Sequence, residues 1–523
     1  MARPKSLRVI GFCVFAALGG ALFGYDIGVI SSCFTMPDFI ERFGEQRADG
    51  TYYLDANRQS IITSLLGAGT FVGSIAQSFT ADLKWGRKGA IFFWSVVFTI
   101  GCVIQTASMS GIAQITVGRF IAGLGVGALS ALVPLYNGEA APRDLRGPLV
   151  VLYQVMITIG IMWAYGLDWI THGINSSASW RIPVGFQLVF GLVLCCGTMF
   201  LPESPRHCLN YNNPEKAKRS IAKMNNCDID DPLVHETMAE LETMLELENE
   251  GGKASWFELL STNHQMWKRT LNACMIQFVQ QLNGQNFYYY YGPAFFAQSG
   301  TGLSTYAIQF ILGAVTFAAT IPALWFIEKL GRRKMLFIGS VGEITCAVIA
   351  AAAGHTMLAS ADTPASEYTS RNTTGGQILV AFAIIQIFFF GAFWGPVPWV
   401  ISAESFPLRV RSKGIAVATA TNWLWNFLLG FFSARIADEI GPLILLVFAG
   451  VLLYGLIYIF FMLPETKGLS LEEIDELYAL KIKPWRSSKW TPPNRRDEIP
   501  EVNDKGEIVH RERRKAPPMM MGH

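Results

Sequence analysis

Apolar runs alternate with short polar breaks along almost the whole chain. Twelve of these runs are long enough to cross roughly 30 Å of hydrocarbon. They lie near 9–32, 60–81, 90–107, 112–133, 149–170, 182–201, 271–297, 306–327, 335–353, 377–401, 414–433 and 441–463. Between the sixth and seventh runs a polar stretch, 202–268, carries a helical charge pattern around MAELETMLELENE, and a polar tail begins at 464. The pattern predicts an all-α membrane protein with an N-terminal six-helix bundle at 1–201, a helical linker at 202–268, a C-terminal six-helix bundle at 269–463 and a tail at 464–523. The first run is too long, and too interrupted by polar residues, to be a cleavable signal peptide.

Composition agrees with that pattern. A 523-residue chain that is 51% hydrophobic and 16% charged, with mean hydropathy +0.31, is too apolar for a soluble protein of this size. The net charge of +2 gives no reason to expect nucleic acid. Most of the 42 Lys and Arg fall on one side if the N-terminus is inside, so the positive-inside rule places both termini, the linker and the tail in the cytoplasm. The sequons at Asn175 and Asn372 then fall on external loops, as candidate glycosylation sites. The nine cysteines show no CxxC and lie mostly in apolar runs, where they read as small buried hydrophobes. No nucleophile–base pair, metal set or nucleotide loop is present, so neither an enzyme nor ATP-driven pumping is indicated, and no cofactor is expected.

Three motifs recur in order in the two halves. WGRK at Trp85–Lys88 returns as LGRRK at Leu330–Lys334. The spacing E-x-x-P-x-x-x-R of Glu139, Pro142 and Arg146 returns in Glu404, Pro407 and Arg411. PESPR at Pro202–Arg206 returns as PETKG at Pro464–Gly468. Such a repeat marks a duplicated six-helix unit, with a cavity expected between the copies.

The polar residues inside the spans show what that cavity holds. QQLNGQNFYYYY, Gln280–Tyr291, lies in the seventh span, where unsatisfied amides and hydroxyls would cost a few kcal/mol each. Amides both give and accept hydrogen bonds, which suits a polyhydroxylated solute, and the aromatic rings offer faces for its C–H side. In an unbroken helix Gln280 and Asn286 would point about 240° apart, so the helix is expected to break near Gly284. Asp26 and Arg119 fall at similar depths in the first and fourth spans. Each alone would cost about 2.5–3.5 kcal/mol, so they are expected to pair. Such a pair either couples proton movement to a conformational cycle or is structural. Glu343, in the ninth span, is expected to snorkel to the arginines of the adjoining loop.

From about Leu7 to Leu477 these motifs resemble the sugar porters of the major facilitator superfamily: PLYNGEAAPRDLRG at 134–147, PESPR, QQLNGQN and PETKGLSLEE. GQNFYYYYG, AESFPLRVRSKG and NWLWNF are most similar to fungal hexose transporters. The resemblance implies alternating-access transport of a monosaccharide, a hexose with protons, by a monomer in the plasma membrane. Gln154, Gln280, Gln281, Asn286, Trp399 and Asn422 would bind or stack on the sugar, with Ile157 and Ile161 as apolar walls and Tyr290 and Tyr291 closing over it. Thr316 stands where many members carry a sugar-binding Asn, Gly391 where others have an acid, and Asn283 where Ser or Thr is usual. Proton-coupled members carry the Asp26 and Arg119 pair, which yeast facilitators also retain. The repeated loop charges would hold an inner gate shut through interhelical ion pairs: Asp82, Arg87, Glu139, Arg143, Arg146, Glu203 and Arg206, then Glu328, Arg332, Glu404, Arg409, Arg411 and Glu465. The alternatives are an uncoupled hexose or pentose facilitator and a transporter-like sugar sensor.

Overall fold

The computed structural model describes residues 7–80, 85–140, 146–250, 255–297, 300–359, 368–407, 409–469, 471–492, 499–502 and 508–511. The N-terminal half holds α1 (Leu7–Cys33), a short α2 (Pro37–Phe43), α3 (Ala56–Thr80), α4 (Gly86–Thr106), α5 (Ile112–Ala140), α6 (Arg146–Thr171) and α7 (Ala178–Thr198). Three linker helices follow: α8 (Pro205–Asn210), α9 (Pro214–Asn225) and α10 (Pro232–Glu250). The second half holds α11 (Met266–Gln281), α12 (Gln285–Ala297), α13 (Thr305–Leu330), α14 (Arg332–Met357), α15 (Ser370–Phe389), α16 (Val397–Glu404), α17 (Arg411–Ile440) and α18 (Ile444–Met462). The tail adds α19 (Leu471–Ala479) and α20 (Pro484–Ser487). Two small antiparallel hairpins, 45–46 with 52–53 and 499–502 with 508–511, are the only sheet among the described residues.

Among the described residues nine helical stretches are long and apolar enough to cross a membrane, one of which, Arg411–Met462, contains both α17 and α18. Of the expected spans, α6 and the broken pair α11 and α12 fall outside that set. The break leaves α11 and α12 with 16 and 13 residues, each too short to cross alone. One face can be defined without a membrane: α1 packs on α9, and α20 packs on α18, so the linker and tail lie at one end of the bundle. That end is called the terminal face here, and the other the opposite face.

Small residues set how closely the helices approach. A Cβ on Gly127 would lie 2.0 Å from the Thr70 carbonyl oxygen, and one on Gly24 would lie 1.9 Å from that of Ile157. The α3/α5 and α1/α6 backbones therefore touch, the packing mode that replaces hydrophobic driving force inside lipid. Close backbone packing makes each half a firm body. The functional side chains are thus positioned by helices rather than by loops.

Candidate functional site

Two helices are interrupted where the halves meet, and both interruptions have a local cause. The first separates α11 from α12 at Leu282–Gly284, where Gly284 has φ +100°, a conformation that costs an L side chain about 1–2 kcal/mol. Asn283 Oδ1 then accepts the Gln285 amide N–H at 3.2 Å and caps the new helix. The second lies between α15 and α16, where Phe390–Trp394 form a π-helical turn. Pro398 has no N–H to offer the Trp394 carbonyl. Gln280 Nε2 fills the gap, donating to the carbonyls of Trp394 at 3.0 Å and Gly395 at 2.8 Å.

From Gln280 an amide network spreads across the second half. Asn422 Nδ2 donates to Gln280 Oε1 at 3.0 Å and to Gln277 Oε1 at 2.7 Å. Gln281 Oε1 accepts from Asn286 Nδ2 at 2.6 Å and from Asn426 Nδ2 at 2.9 Å. Gln285 Nε2 donates to Asn286 Oδ1 at 2.8 Å, and the Tyr289 and Thr316 hydroxyls share a 2.9 Å bond. The network fixes each amide's orientation before any solute arrives, which lowers the ordering cost of binding.

All of these groups but Gln277 line a cavity of about 50 Å³ between the halves. Gln154, Ile157, Ile161, Gln280, Gln281, Asn286, Thr316, Trp399 and Asn422 all border it, so nine of the eleven candidate binding residues come together. Tyr290 and Tyr291 do not. The Tyr290 hydroxyl donates to Asn426 Oδ1 at 2.9 Å and the Tyr291 hydroxyl to the Gly430 carbonyl at 2.5 Å, so both rings are committed to α17. Tyr289 lines the cavity in their place, three residues after Asn286 and on the same helix face. Phe23, Ile27, Thr158, Gln285, Phe390, Trp423 and Asn426 complete the wall. Of these, Asn426 carried a usable signal, being four residues after Asn422 on one face of α17. A second cavity, about 390 Å³, lies at the terminal face among Trp85, Lys88, Phe92, Met199, Glu203 and Lys216, away from the amides.

The central cavity is well below the ~300–1,000 Å³ of ligand pockets. Cross-half contacts show which side closes it. Trp423 Nε1 donates to Ser130 Oγ at 3.1 Å, and the Trp423 ring meets Phe23 edge-on at 4.9 Å. Nearer the opposite face, the Tyr165 hydroxyl donates to the Tyr289 carbonyl at 3.1 Å, Thr35 Oγ1 to the Tyr306 hydroxyl at 2.9 Å and Arg435 Nε to Asn57 Oδ1 at 2.6 Å. Those described bonds close the opposite face.

At the terminal face the repeated charges form two matching clusters, each within its own half. Arg87 pairs with Glu139 at 3.1 Å, and Glu139 also accepts from the Ser204 hydroxyl at 2.5 Å. Arg332 pairs with Glu404 at 2.5 Å, and Glu404 accepts from the Thr466 hydroxyl at 2.7 Å. Glu203 takes the Arg87 amide N–H at 2.9 Å and Glu465 takes that of Arg332 at 2.8 Å, so each carboxylate caps the start of α4 or α14. Burial raises the Glu203 carboxyl from its ordinary value, against the lowering effect of the three backbone N–H groups it accepts. The glycine of each motif is needed. Gly86 and Gly331 have φ +76° and +86°, and a Cβ would come within 2.2 and 2.8 Å of the capping carboxylates.

Several gate expectations change. These pairs tie each half to itself in this state rather than one half to the other. Glu328 is exposed and has no ion pair among the described residues, because Arg332 turns to Glu404. Arg409 pairs with Glu258 of the 256–260 turn. Arg206 and Arg411 lie at the starts of α8 and α17. Asp82, Arg143 and the side chain of Arg146 fall outside the described residues.

Asp26 and Arg119 meet at 3.0 Å, both fully buried, with Asp26 Oδ2 and Arg119 Nη2 lacking a hydrogen-bond partner. Arg119 is further held by the carbonyls of Asp26 and Ile62, each at 3.3 Å. Glu343 does not snorkel. It lies mid-way along α14, fully buried, and neither oxygen has a hydrogen-bond partner. It lies eleven positions after Arg332, the first residue of α14, beyond a side chain's reach. Cys196 is exposed, unlike most of the cysteines. Asn175 is exposed in the loop after α6, whereas Asn372 Nδ2 donates to the Met357 carbonyl at 2.9 Å within a capping box.

Residues 12–478 match the model of the family described as sugar (and other) transporter. The chain belongs to the sugar transporter family. It is 40% identical over 484 residues to the low-affinity glucose transporter of Kluyveromyces lactis, covering 92% of this chain and 85% of that protein. It is 40% identical over 500 residues to the high-affinity hexose transporter HXT6 of Saccharomyces cerevisiae, covering 94% and 86%. In fold it is similar to the major facilitator superfamily proton:xylose symporter XylE bound to 6-bromo-6-deoxy-D-glucose, with TM-score 0.72 at 22% identity over 91% of this chain and all of that one. An inward open structure of XylE from E. coli aligns with TM-score 0.70 at 23% identity, covering 90% and 99%. The transporter is therefore an all-α, multi-pass membrane protein of the major facilitator fold.

Proposed function

We propose that the transporter carries a hexose across the plasma membrane by alternating access, as a monomer that moves protons with the sugar. The observation that carries this reading is the set of uncharged amides from α11, α12 and α17, held by one another, which with Gln154 of α6 line a cavity at the seam between the two halves. Such a set replaces water around hydroxyls and carries no fixed charge that would demand an ionic ligand. Relatives named for glucose and hexose transport support the substrate class. The two bundles are 1–201 and 269–463, joined by the linker at 202–268 and followed by the tail at 464–523. The terminal face is cytoplasmic, so this structure is closed to the outside, and Asn175 is the external residue open to glycosylation.

Binding enlarges the cavity by moving the halves apart, since 50 Å³ admits no hexose in place. The terminal-face clusters would act in the outward-open state, where regrouping of several pairs shifts a two-state balance by a few kcal/mol. For the proton, Asp26 and Arg119 supply a buried charge pair that a change of hydration would split. Expression in a hexose-uptake-deficient yeast, with labelled hexoses, pentoses and uronates, tests the reading. Saturable hexose uptake that accumulates uphill and collapses with a protonophore is expected. Uptake of none of the panel overturns the carrier reading, and hexose uptake that only equilibrates overturns the proton part.

A further inference from the structure

The interior holds acids that the Asp26–Arg119 pair does not account for. Asp168 is fully buried on α6, three residues before the helix ends at the opposite face, and neither of its oxygens has a hydrogen-bond partner among the described residues. Its position matters because α6 packs on α1 of its own half and on α13 of the other. Ser32 faces it from α1, with Tyr25 and Cys33 in electrostatic range on the same helix. Tyr306 faces it from α13 and Tyr165 from α6 itself. None of these is a cation. Arg119, which also acts on Cys33, is bonded to Asp26. His172, one turn farther out, has Nδ1 on the Trp169 carbonyl at 2.6 Å.

Tyr306 links this acid to the moving seam. Its hydroxyl accepts from Thr35 Oγ1 at 2.9 Å and its ring stacks on His172 at 4.2 Å, so together with Phe310, which meets Trp169 at 5.6 Å, it closes α13 against the ends of α1 and α6. While it stays there, Asp168 is shut from solvent and faces no counter-charge among the described residues. An unpaired carboxylate in such surroundings costs several kcal/mol, whereas the neutral acid costs only the lost hydrogen bonds of a polar group. Parting of α13 from α1 and α6 removes Tyr306 and admits water, where the ionised form is the ordinary one at neutral pH.

We propose that Asp168 is a second proton-binding site, separate from the Asp26–Arg119 pair, that takes a proton from the external water as the seam closes and returns it when the seam opens. The closed state thus binds one proton more than the open one at this position. By linkage, acid on the opposite side favours closure and alkali favours opening. The inference rests on alternating access but not on which sugar is carried, nor on proton symport through Asp26.

Infrared spectra of the purified full-length protein test it without sugar. The carbonyl stretch of a protonated carboxylic acid should be present at neutral pH in a Glu343→Gln background, which removes the other unpartnered acid. It should lose one carboxyl's intensity on adding Asp168→Asn and keep it, displaced, with Asp168→Glu. An unchanged band in Asp168→Asn overturns the proposal. The transport readout is the external-pH profile of uptake, in which the alkaline fall of the wild type should lose a slope of about one in log rate per pH unit in Asp168→Asn. A profile superimposable on wild type also overturns it. If Asp168→Asn does not fold, the displaced band and profile of Asp168→Glu decide. Absence of any sugar uptake by the wild type would defeat the carrier reading and leave the infrared result standing.

Discussion

Replacing Gln281 by Leu removes the acceptor shared by Asn286 Nδ2 at 2.6 Å and Asn426 Nδ2 at 2.9 Å. Leu keeps the volume and takes away both bonds. Asn286 Nδ2 keeps only a 3.4 Å contact with the Gln281 carbonyl, and Asn426 Nδ2 loses its acceptor in a buried site. An orphaned buried donor costs about 1–3 kcal/mol, so a loss of about 2 kcal/mol in the ordered site is expected. Expressed on sugar affinity, that is about 30-fold. The assay is uptake of labelled glucose in a hexose-uptake-deficient yeast, with KM read against the amount of transporter at the cell surface. Because Gln281 and Asn286 share one bond, adding Asn286→Leu should cost much less in the Gln281→Leu background than in the wild type, with a coupling of about 0.5–3 kcal/mol. A KM within about twofold of wild type for Gln281→Leu, or strictly additive single and double variants, would refute the shared-acceptor reasoning.

Three further outcomes are expected. Gly86→Ala and Gly331→Ala should each lower the melting temperature in detergent, since both combine a positive φ with a carboxylate at the Cβ position. Gly11→Ala, with open space around it, should not. Asp26→Asn should abolish uphill accumulation while sugar exchange at equal concentrations continues, measured by counterflow; retained accumulation at every external pH would make the pair structural. Partial burial raises the Asp38 carboxyl, but hydrogen bonds from Arg42 and Trp180 outweigh it and hold the group below its ordinary value. A lowered carboxylate stabilises the fold above its unfolded value, about 4, and that stabilisation is lost as pH falls through the folded value. Melting temperature should therefore drop in acid more for the wild type than for Asp38→Asn.

Much of this was legible from residue order. Twelve apolar runs, the recurrence of WGRK in LGRRK, and amides set in hydrocarbon at Gln280, Gln281 and Asn286 follow from transfer free energies, which depend on composition within a segment. The break at Gly284 was legible too, because a regular helix cannot aim Gln280 and Asn286 at one cavity. What tertiary structure alone decided is direction and company. Tyr289 rather than Tyr290 or Tyr291 faces the cavity because the angle across the break sets the rotation of α12, and that angle comes from packing against Phe448 and Gln309. Arg332 pairs with Glu404 rather than with a partner in the first half, and Asp168 ended at a seam with no counter-charge among the described residues, for the same reason. Hydrophobic burial is local and additive along the chain, whereas pairing between charges hundreds of residues apart depends on which faces the folded halves turn toward each other.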